Sequence, residues 1–301
     1  MKGTLNQLYG AIGITKQAIH QYQKRQLIFD DKVSKLIIEV DELRSQHPGC
    51  GVEKMYDTLK PDFIGRDRFA ELFMELGYRV KKIKNYHRTT MPVASKYHNL
   101  IEGLIINKVN VLWQSDITYY DINGRFYYIV FIIDVYSRKV VGYCVSDSLR
   151  AEANLIALRM ALKLRSAPMI HHSDKGSQYI DKRYVELLNQ NNTAISMGLQ
   201  AQDNAYAERI NGIIKNEFIK YKNPQSFNQL NLEVKKAVEY YNSKRIHRSL
   251  PLKLTPCTLE KFALKQQYIV EVHAKDKPRE SKESINHTYL KENNHLICNL
   301  N

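Results

Sequence analysis

Three acids stand where they could hold a divalent cation: Asp116, Asp174 and Glu208. Carboxylate oxygens are hard ligands that suit Mg²⁺ or Mn²⁺. Two such ions about 4 Å apart can activate an attacking oxygen and stabilise a leaving one at a phosphodiester. Lys175, beside the second acid, and Lys215, seven residues after the third, are candidate contacts to DNA phosphates. The chain holds 31 Asp+Glu, so three acids carry weight only if the elements around them bring them together. Other chemistries find less support. There is no G-x-x-x-x-G-K-[ST] loop for a nucleotide. The four cysteines, Cys50, Cys144, Cys257 and Cys298, lie far apart and read as free thiols, and His171-His172 has no cysteine nearby and reads as structural.

The elements that must position the acids begin near 110, where the pattern becomes that of strands. Val111 to Tyr120 is rich in β-formers, and Asn123-Gly124, a hairpin signal, separates it from Phe126 to Asp134. Tyr136-Ser137-Arg138-Lys139 turns the chain into Val140 to Val145, completing an antiparallel meander. A helix over about 151–165, a short strand over Met169 to Ser173, a helix over about 181–191 and a last short strand at 194–196 follow. The order is βββαβαβ, with Asp116 in the first strand and Asp174 just past the fourth.

The last core helix starts near Asp203-Asn204, both good N-cap types, and runs to about Lys220. At 100° per residue Ile210, Ile213, Ile214 and Phe218 share one face, while Glu208, Gly212 and Lys215 lie on the opposite one. Glu217 on the apolar side and Ile219 on the open side do not fit this division. By strand alternation Trp113 belongs to the face opposite Asp116 and reads as core. Asp134, at a strand end beside a tight turn, reads equally as a structural hydrogen-bond acceptor or a metal ligand, and is left outside the triad. Ser177 and Gln178 are expected to fix the loop behind Asp174.

Residues 1–80 read as a helical module. Residues 5–26 give a helix-turn-helix pattern broken at Gly10 to Thr15, in which Thr15 caps a second helix carrying Lys16, Gln17, His20, Gln21 and Lys24. Further helices are expected over 31–46, stopped by His47-Pro48-Gly49, and near 52–60 and 66–76, with Gly77 as the stop. Residues 81–104 form a basic linker, 105–222 the core, 223–262 a C-terminal helical extension and 263–301 a polar, flexible tail. A formal charge of +14, from 45 Lys+Arg against 31 Asp+Glu, favours a polyanionic partner, nucleic acid first. No apolar run approaches the ~20 residues that span a bilayer, so a cytoplasmic, nucleoid-associated location without membrane contact is expected.

Local strings sharpen the reading. Trp113-Gln114-Ser115-Asp116-Ile117-Thr118-Tyr119, Ile133-Asp134-Val135-Tyr136-Ser137-Arg138, His172-Ser173-Asp174-Lys175-Gly176-Ser177-Gln178-Tyr179, and Asp203-Asn204-Ala205-Tyr206-Ala207-Glu208 resemble, in order, the integrase-core signatures of IS3-family insertion-element transposases. So does Tyr241-Asn242-Ser243-Lys244-Arg245-Ile246-His247-Arg248-Ser249-Leu250 with Thr255-Pro256. The resemblance covers roughly 105–260. The less specific His47-Pro48-Gly49 region resembles the helical module that precedes this core in the same family.

The resemblance implies an α/β fold: an RNase H-like integrase core with a mixed five-stranded sheet, flanking helices and an N-terminal helical module. It implies a DDE triad at Asp116, Asp174 and Glu208, serving as both catalytic residues and ligands of Mg²⁺ or Mn²⁺, two ions in number. It further implies cleavage and strand transfer on double-stranded DNA, element ends and target, by a homo-oligomer, with an upstream helix-turn-helix protein of the same element as a possible partner. Thirty-three residues separate Asp174 from Glu208, about two fewer than usual in the family, and the shortening falls in Met197 to Gln202. Two rivals stay open: an RNase H-like nuclease that hydrolyses without joining, and an inactive relative that only binds DNA. A retroviral-type integrase is disfavoured, because the N-terminal region lacks a paired His and Cys set for zinc.

Overall fold

The computed structural model describes residues 9–11, 13–80, 96–198, 201–263 and 269–271. Residues 5–8 of the expected first helix, the linker residues Lys81, Lys82, Lys84, His87 and Arg88, and the tail beyond 271 lie outside the described residues.

Helix α1 (Lys16–Gln46) begins where Thr15 accepts a hydrogen bond from the Ala18 amide at 3.1 Å. The cap is the expected one, but the two helices expected over 16–26 and 31–46 are a single rod of 31 residues. No Gly or Pro interrupts it. The polar stretch between the two apolar patterns is carried by i,i+4 pairs, Gln26 to Asp30 at 2.8 Å and Lys35 to Asp31 at 2.7 Å. Its packing is concentrated toward the C-terminal end, where Leu36 and Val40 meet Met55, Phe69 and Phe73 of α2 (Val52–Leu59) and α3 (Arg66–Glu75), with Phe29 packed against the same cluster. Gly77, at φ +88°, closes this module as expected.

The core is a five-stranded sheet of β2 (Leu112–Ile122), β3 (Arg125–Asp134), β4 (Val140–Ser146), β5 (Ile170–Ser173) and β6 (Ala194–Met197), after a short β1 (Ile105–Ile106). The order across the sheet is β4-β3-β2-β5-β6; the first three strands are antiparallel, and β5 and β6 run parallel to β2. Asn123 and Gly124, at φ 53° and 82°, form the β2–β3 hairpin. Helix α4 (Ala151–Leu164) covers one face, packing with Trp113, Val130, Ile132 and α5 (Lys182–Gln190). α4 approaches closely because β4 offers Gly142, where an added Cβ would lie 2.2 Å from the Ala157 carbonyl oxygen. Gly142→Ala is expected to lower stability by about 1–3 kcal/mol, because backbone rather than a movable side chain must yield; urea unfolding of the full chain measures it.

The other face carries α6 (Ala205–Ile213), which continues without a break through a π-helical stretch (Ile214–Ile219) into α7 (Lys220–Lys222), and then α8 (Phe227–Ser243). Ile210, Ile214 and Phe218 pack there on Phe131 and Ile133. The two residues that misfit a plain helix are explained by the π-helical turn, whose extra residue shifts the phase. Phe218 and Ile219 are both buried, while the Glu217 carboxylate leaves the core toward the N-terminal module. The C-terminal extension is stitched to the sheet edge: Asn242 accepts from the Val140 amide and donates to its carbonyl, each at 2.9 Å, and α9 (Pro256–Ala263) follows. One expectation is corrected. Residues of the supposed flexible tail form β7 (Val270–Glu271), antiparallel to β1, with Val270 buried in the core. An apolar residue had a strand edge to cover, which a polar average over the tail conceals.

Candidate active site

Pairing of β2 with β5 sets Ser115 beside Ser173, so the next residues are Asp116 in β2 and Asp174 just past the end of β5. Strands in a sheet lie about 4.8 Å apart, so the two carboxylates share one place. Pairing of β2 with β5 ends at Ser115 and Ser173, and the chain leaves the sheet at Asp174.

Four hydrogen bonds fasten α6 over this point. Gln114 donates to the Asp203 carbonyl at 3.0 Å and accepts from the Ala207 amide at 3.3 Å. Asn204 donates to the Ser115 carbonyl at 2.9 Å, and Asn211 donates to Asp116 Oδ2 at 2.8 Å. Asn204 was expected to cap the helix, and its backbone holds that position; its side chain serves β2 instead. Glu208 is exposed one turn before Asn211, on the same side of α6. The helix that bears the third acid is thus tied to the strand that bears the first.

The three acids feel one another. Burial, then the charge of Asp174 and that of Glu208, push Asp116 up to about 8, against hydrogen bonds from the Ile117 amide and Asn211. Burial raises Asp174 as well, opposed by the Gly176 amide, and burial together with Asp174 raises Glu208. Crowded, desolvated carboxylates of this kind ionise readily only beside a cation. Asn211 also keeps its Oδ1 buried with no hydrogen-bond partner among the described residues, an oxygen that a hard cation or its water would satisfy. The donor set fits a divalent ion, though among the described residues no three of Asp, Glu, His and Cys stand close enough to close around one.

The loop after Asp174 is held from three sides. Gly176 donates to Asp174 Oδ1 at 3.1 Å, Tyr179 shares a hydrogen bond with Ser115 at 3.0 Å, and Gln178 donates to the Leu149 carbonyl at 2.9 Å. Gln178 holds the loop as expected, whereas Ser177 is exposed. Lys175 is half-buried next to Asp174. The Lys215 ammonium stands 4.3 Å over the Tyr119 ring, and burial, then Lys220, lowers its pKa. Of the stretch Met197 to Gln202, where a shortening was expected, Met197 ends β6 and Gly198 donates to the Ser173 carbonyl at 2.9 Å; Leu199 and Gln200 lie outside the described residues.

Asp134 is fully buried and accepts from the Asn110 amide at 2.6 Å and from the amide and hydroxyl of Ser137, each at 2.8 Å, a turn-fixing role away from the triad. Trp113 is core, its indole donating to Asn110 at 3.1 Å. His171 and His172 are buried against Tyr184 and Ser196, at 2.9 and 2.8 Å, and burial lowers them to about 3 and about 4. Local pattern in the sequence does not mark Gln114 or Asn211. The signal available for Asn211 was its place three residues after Glu208.

Known proteins resemble this chain over the same stretch. Two family profiles described as Integrase core domain match residues 106–201 and 190–256. The chain is 32% identical over 226 residues to the transposase for insertion sequence element IS629 of Shigella sonnei, covering 72% of this chain and 75% of that one. It is 30% identical over 213 residues to a putative transposase for IS986/IS6110 of Mycobacterium tuberculosis, covering 66% and 77%. Among solved structures, the HTLV-2 integrase catalytic core domain in complex with magnesium aligns at 20% identity with a TM-score of 0.43, over 54% of this chain and 99% of that one. With relatives of this identity over three quarters of their length and an integrase core across its sheet, the chain belongs to the insertion-element transposases of the IS3 type.

Proposed function

We propose that this transposase cuts and joins DNA at the site framed by Asp116, Asp174 and Glu208, and that these three residues hold the divalent ions, Mg²⁺ or Mn²⁺, that the reaction needs. The observation that carries the reading is the β2–β5 register, which makes two half-buried aspartates neighbours, together with the hydrogen bonds that fix α6 above them. When bound, the ions supply charge stabilisation at the attacking and leaving oxygens of a phosphodiester. The chain's own groups do the rest. Asp116 within β2 and Asp174 just past the end of β5 offer a fixed pair, Glu208 completes the set from α6, and Asn211 orients Asp116 by donating to its Oδ2. Lys175 and Lys215 hold DNA phosphates in line, Lys215 from a position fixed by the Tyr119 ring. Element ends and target DNA bind the basic surface as double-stranded DNA. Joining two ends calls for a homo-oligomer on DNA, and an upstream helix-turn-helix protein of the element is a further partner. Residues 1–80 serve as the DNA-binding module, 105–222 as the catalytic core and 223–262 as its C-terminal brace. No helix among the described residues is long and apolar enough to cross a membrane.

The test gives purified protein, Mg²⁺ and labelled element-end DNA with a target plasmid. Joined product supports the reading; nicked ends without joining favour the hydrolytic rival, and binding without either favours the inactive one. Lys215→Met is expected to weaken end-DNA binding by about tenfold at low salt and to reduce the salt slope by about one, measured by fluorescence anisotropy.

A further inference from the structure

Glu217 has no part in the site above, yet three remote segments converge on it. Its Oε1 accepts from Lys54 at 2.6 Å and from Arg245 at 2.9 Å. Its Oε2 accepts from Arg245 Nε at 2.9 Å and meets His47 Nε2 at 2.6 Å. The backbone is used as well: Gly49 donates to the Glu217 carbonyl at 2.8 Å, a group open to an outside donor within the π-helical stretch. An added Cβ at Gly49 would lie 2.5 Å from Glu217 Cα, so the approach needs glycine. The His47 ring lies flat on Phe218, centroids 4.6 Å apart. The His47-Pro48-Gly49 loop and the Lys244-Arg245 motif therefore meet on one residue of the rod that carries Glu208.

Ion clusters held away from water are weak sources of net stability, because desolvation offsets most of the attraction. What they give is a unique arrangement, since a misplaced partner leaves a charge unpaired. Here that arrangement joins the N-terminal module and the C-terminal extension to the π-helical stretch that continues α6, and α6 itself is bonded to β2 from Asn204 before its first turn and Asn211 in its last. We infer that Glu217 is a positioning residue: by docking the N-terminal module on the π-helical stretch, it sets the placement of α6 and thereby of Glu208 against Asp116 and Asp174. The inference rests on the reading that Glu208 belongs to the active site.

The test uses the full chain and the variants Glu217→Gln, Lys54→Met and Arg245→Lys. Hydrogen–deuterium exchange is followed across residues 205–213, with single-turnover cleavage of end DNA beside it. Glu217→Gln and Lys54→Met are expected to raise exchange across 205–213. They should also slow cleavage about tenfold or more, with end-DNA affinity held within about twofold. Arg245→Lys keeps the charge but not the paired bonds and falls between them and the wild type. If Glu217→Gln does not fold, Lys54→Met, which leaves Arg245 and His47 on the carboxylate, decides alone. Exchange that rises only around 45–60 and 240–250, with cleavage per folded molecule within about twofold of wild type, overturns the inference. A wild type that does not cleave would count against the proposed reaction, while exchange across 205–213 would still decide whether Glu217 governs α6.

Discussion

Asp116→Asn, Asp174→Asn and Glu208→Gln are each expected to lower end-DNA cleavage and strand transfer by on the order of 10³-fold or more, while leaving the protein folded and able to bind DNA. Each change keeps the shape and removes one charge from a set that must offset the positive charge of the ions. Losses from residues that act as a unit do not add, so Asp116→Asn combined with Glu208→Gln should be only slightly worse than either alone. The measurement is a single-turnover assay on labelled end DNA. A variant within about tenfold of wild type would remove its residue from the triad. Asn211→Leu provides a graded comparison. It takes the hydrogen bond from Asp116 without touching a charge and should fall between wild type and the triad variants.

The second large effect is on stability, and its sign is the reverse of most buried ion sites. Asp116 ordinarily titrates at 3.8 and in the fold at about 8, so between these values the native state holds a proton that the unfolded chain has released. Stability from this group is therefore lost as pH rises from about 4 to about 8, and Asp174 and Glu208, both raised, act in the same direction. The buried histidines His47, His171, His172 and His247, all lowered, act oppositely and favour the fold as pH rises through their ordinary value of 6.5. Glu217, held well below the carboxylate range by His47 and Arg245 against its burial, matters only in acid, where its stabilisation is lost. The diagnostic quantity is thus the difference between wild type and Asp116→Asn. Without divalent ions the variant should become the more stable of the two as pH rises toward 8. Saturating Mg²⁺ or Mn²⁺ should raise the wild-type Tm by about 5–10 °C at pH 8, less at pH 5, and little in the variant. Scanning calorimetry at several pH values measures both. A difference that does not change with pH would contradict the crowding of charge at the site.

Much of this site was readable from local pattern. The β-rich runs around Asn123-Gly124 specified the hairpin, and alternation placed Trp113 in the core and Asp116 on the opposite face. The helical period put Ile210, Ile214 and Phe218 on the buried side of the rod that bears Glu208. What escaped has a common cause. The π-helical turn, the pairing of β7 with β1, and the service of Gln114, Asn204 and Asn211 to distant backbone or side chains are decided by contacts between residues far apart in the chain. Periodicity within a window does not carry that information. Glu217 is the clearest case: an acid on an apolar face looked like an exception to the helix, whereas the helix changes phase to present it to His47 and Arg245. The long α1 is the converse, a rod that runs on through a polar stretch because nothing in it stops a helix.

Asp116, Asp174 and Glu208 are expected to gather around the same ions when DNA is bound. Fe²⁺ replacing Mg²⁺ in the complex with end DNA tests this directly, since ascorbate and peroxide then cut the polypeptide beside the residues that ligate the iron. Chain breaks are expected at all three positions together, each lost on addition of excess Mg²⁺ and all lost in Asp116→Asn. Breaks confined to other positions, or persisting unchanged in Asp116→Asn, would contradict it.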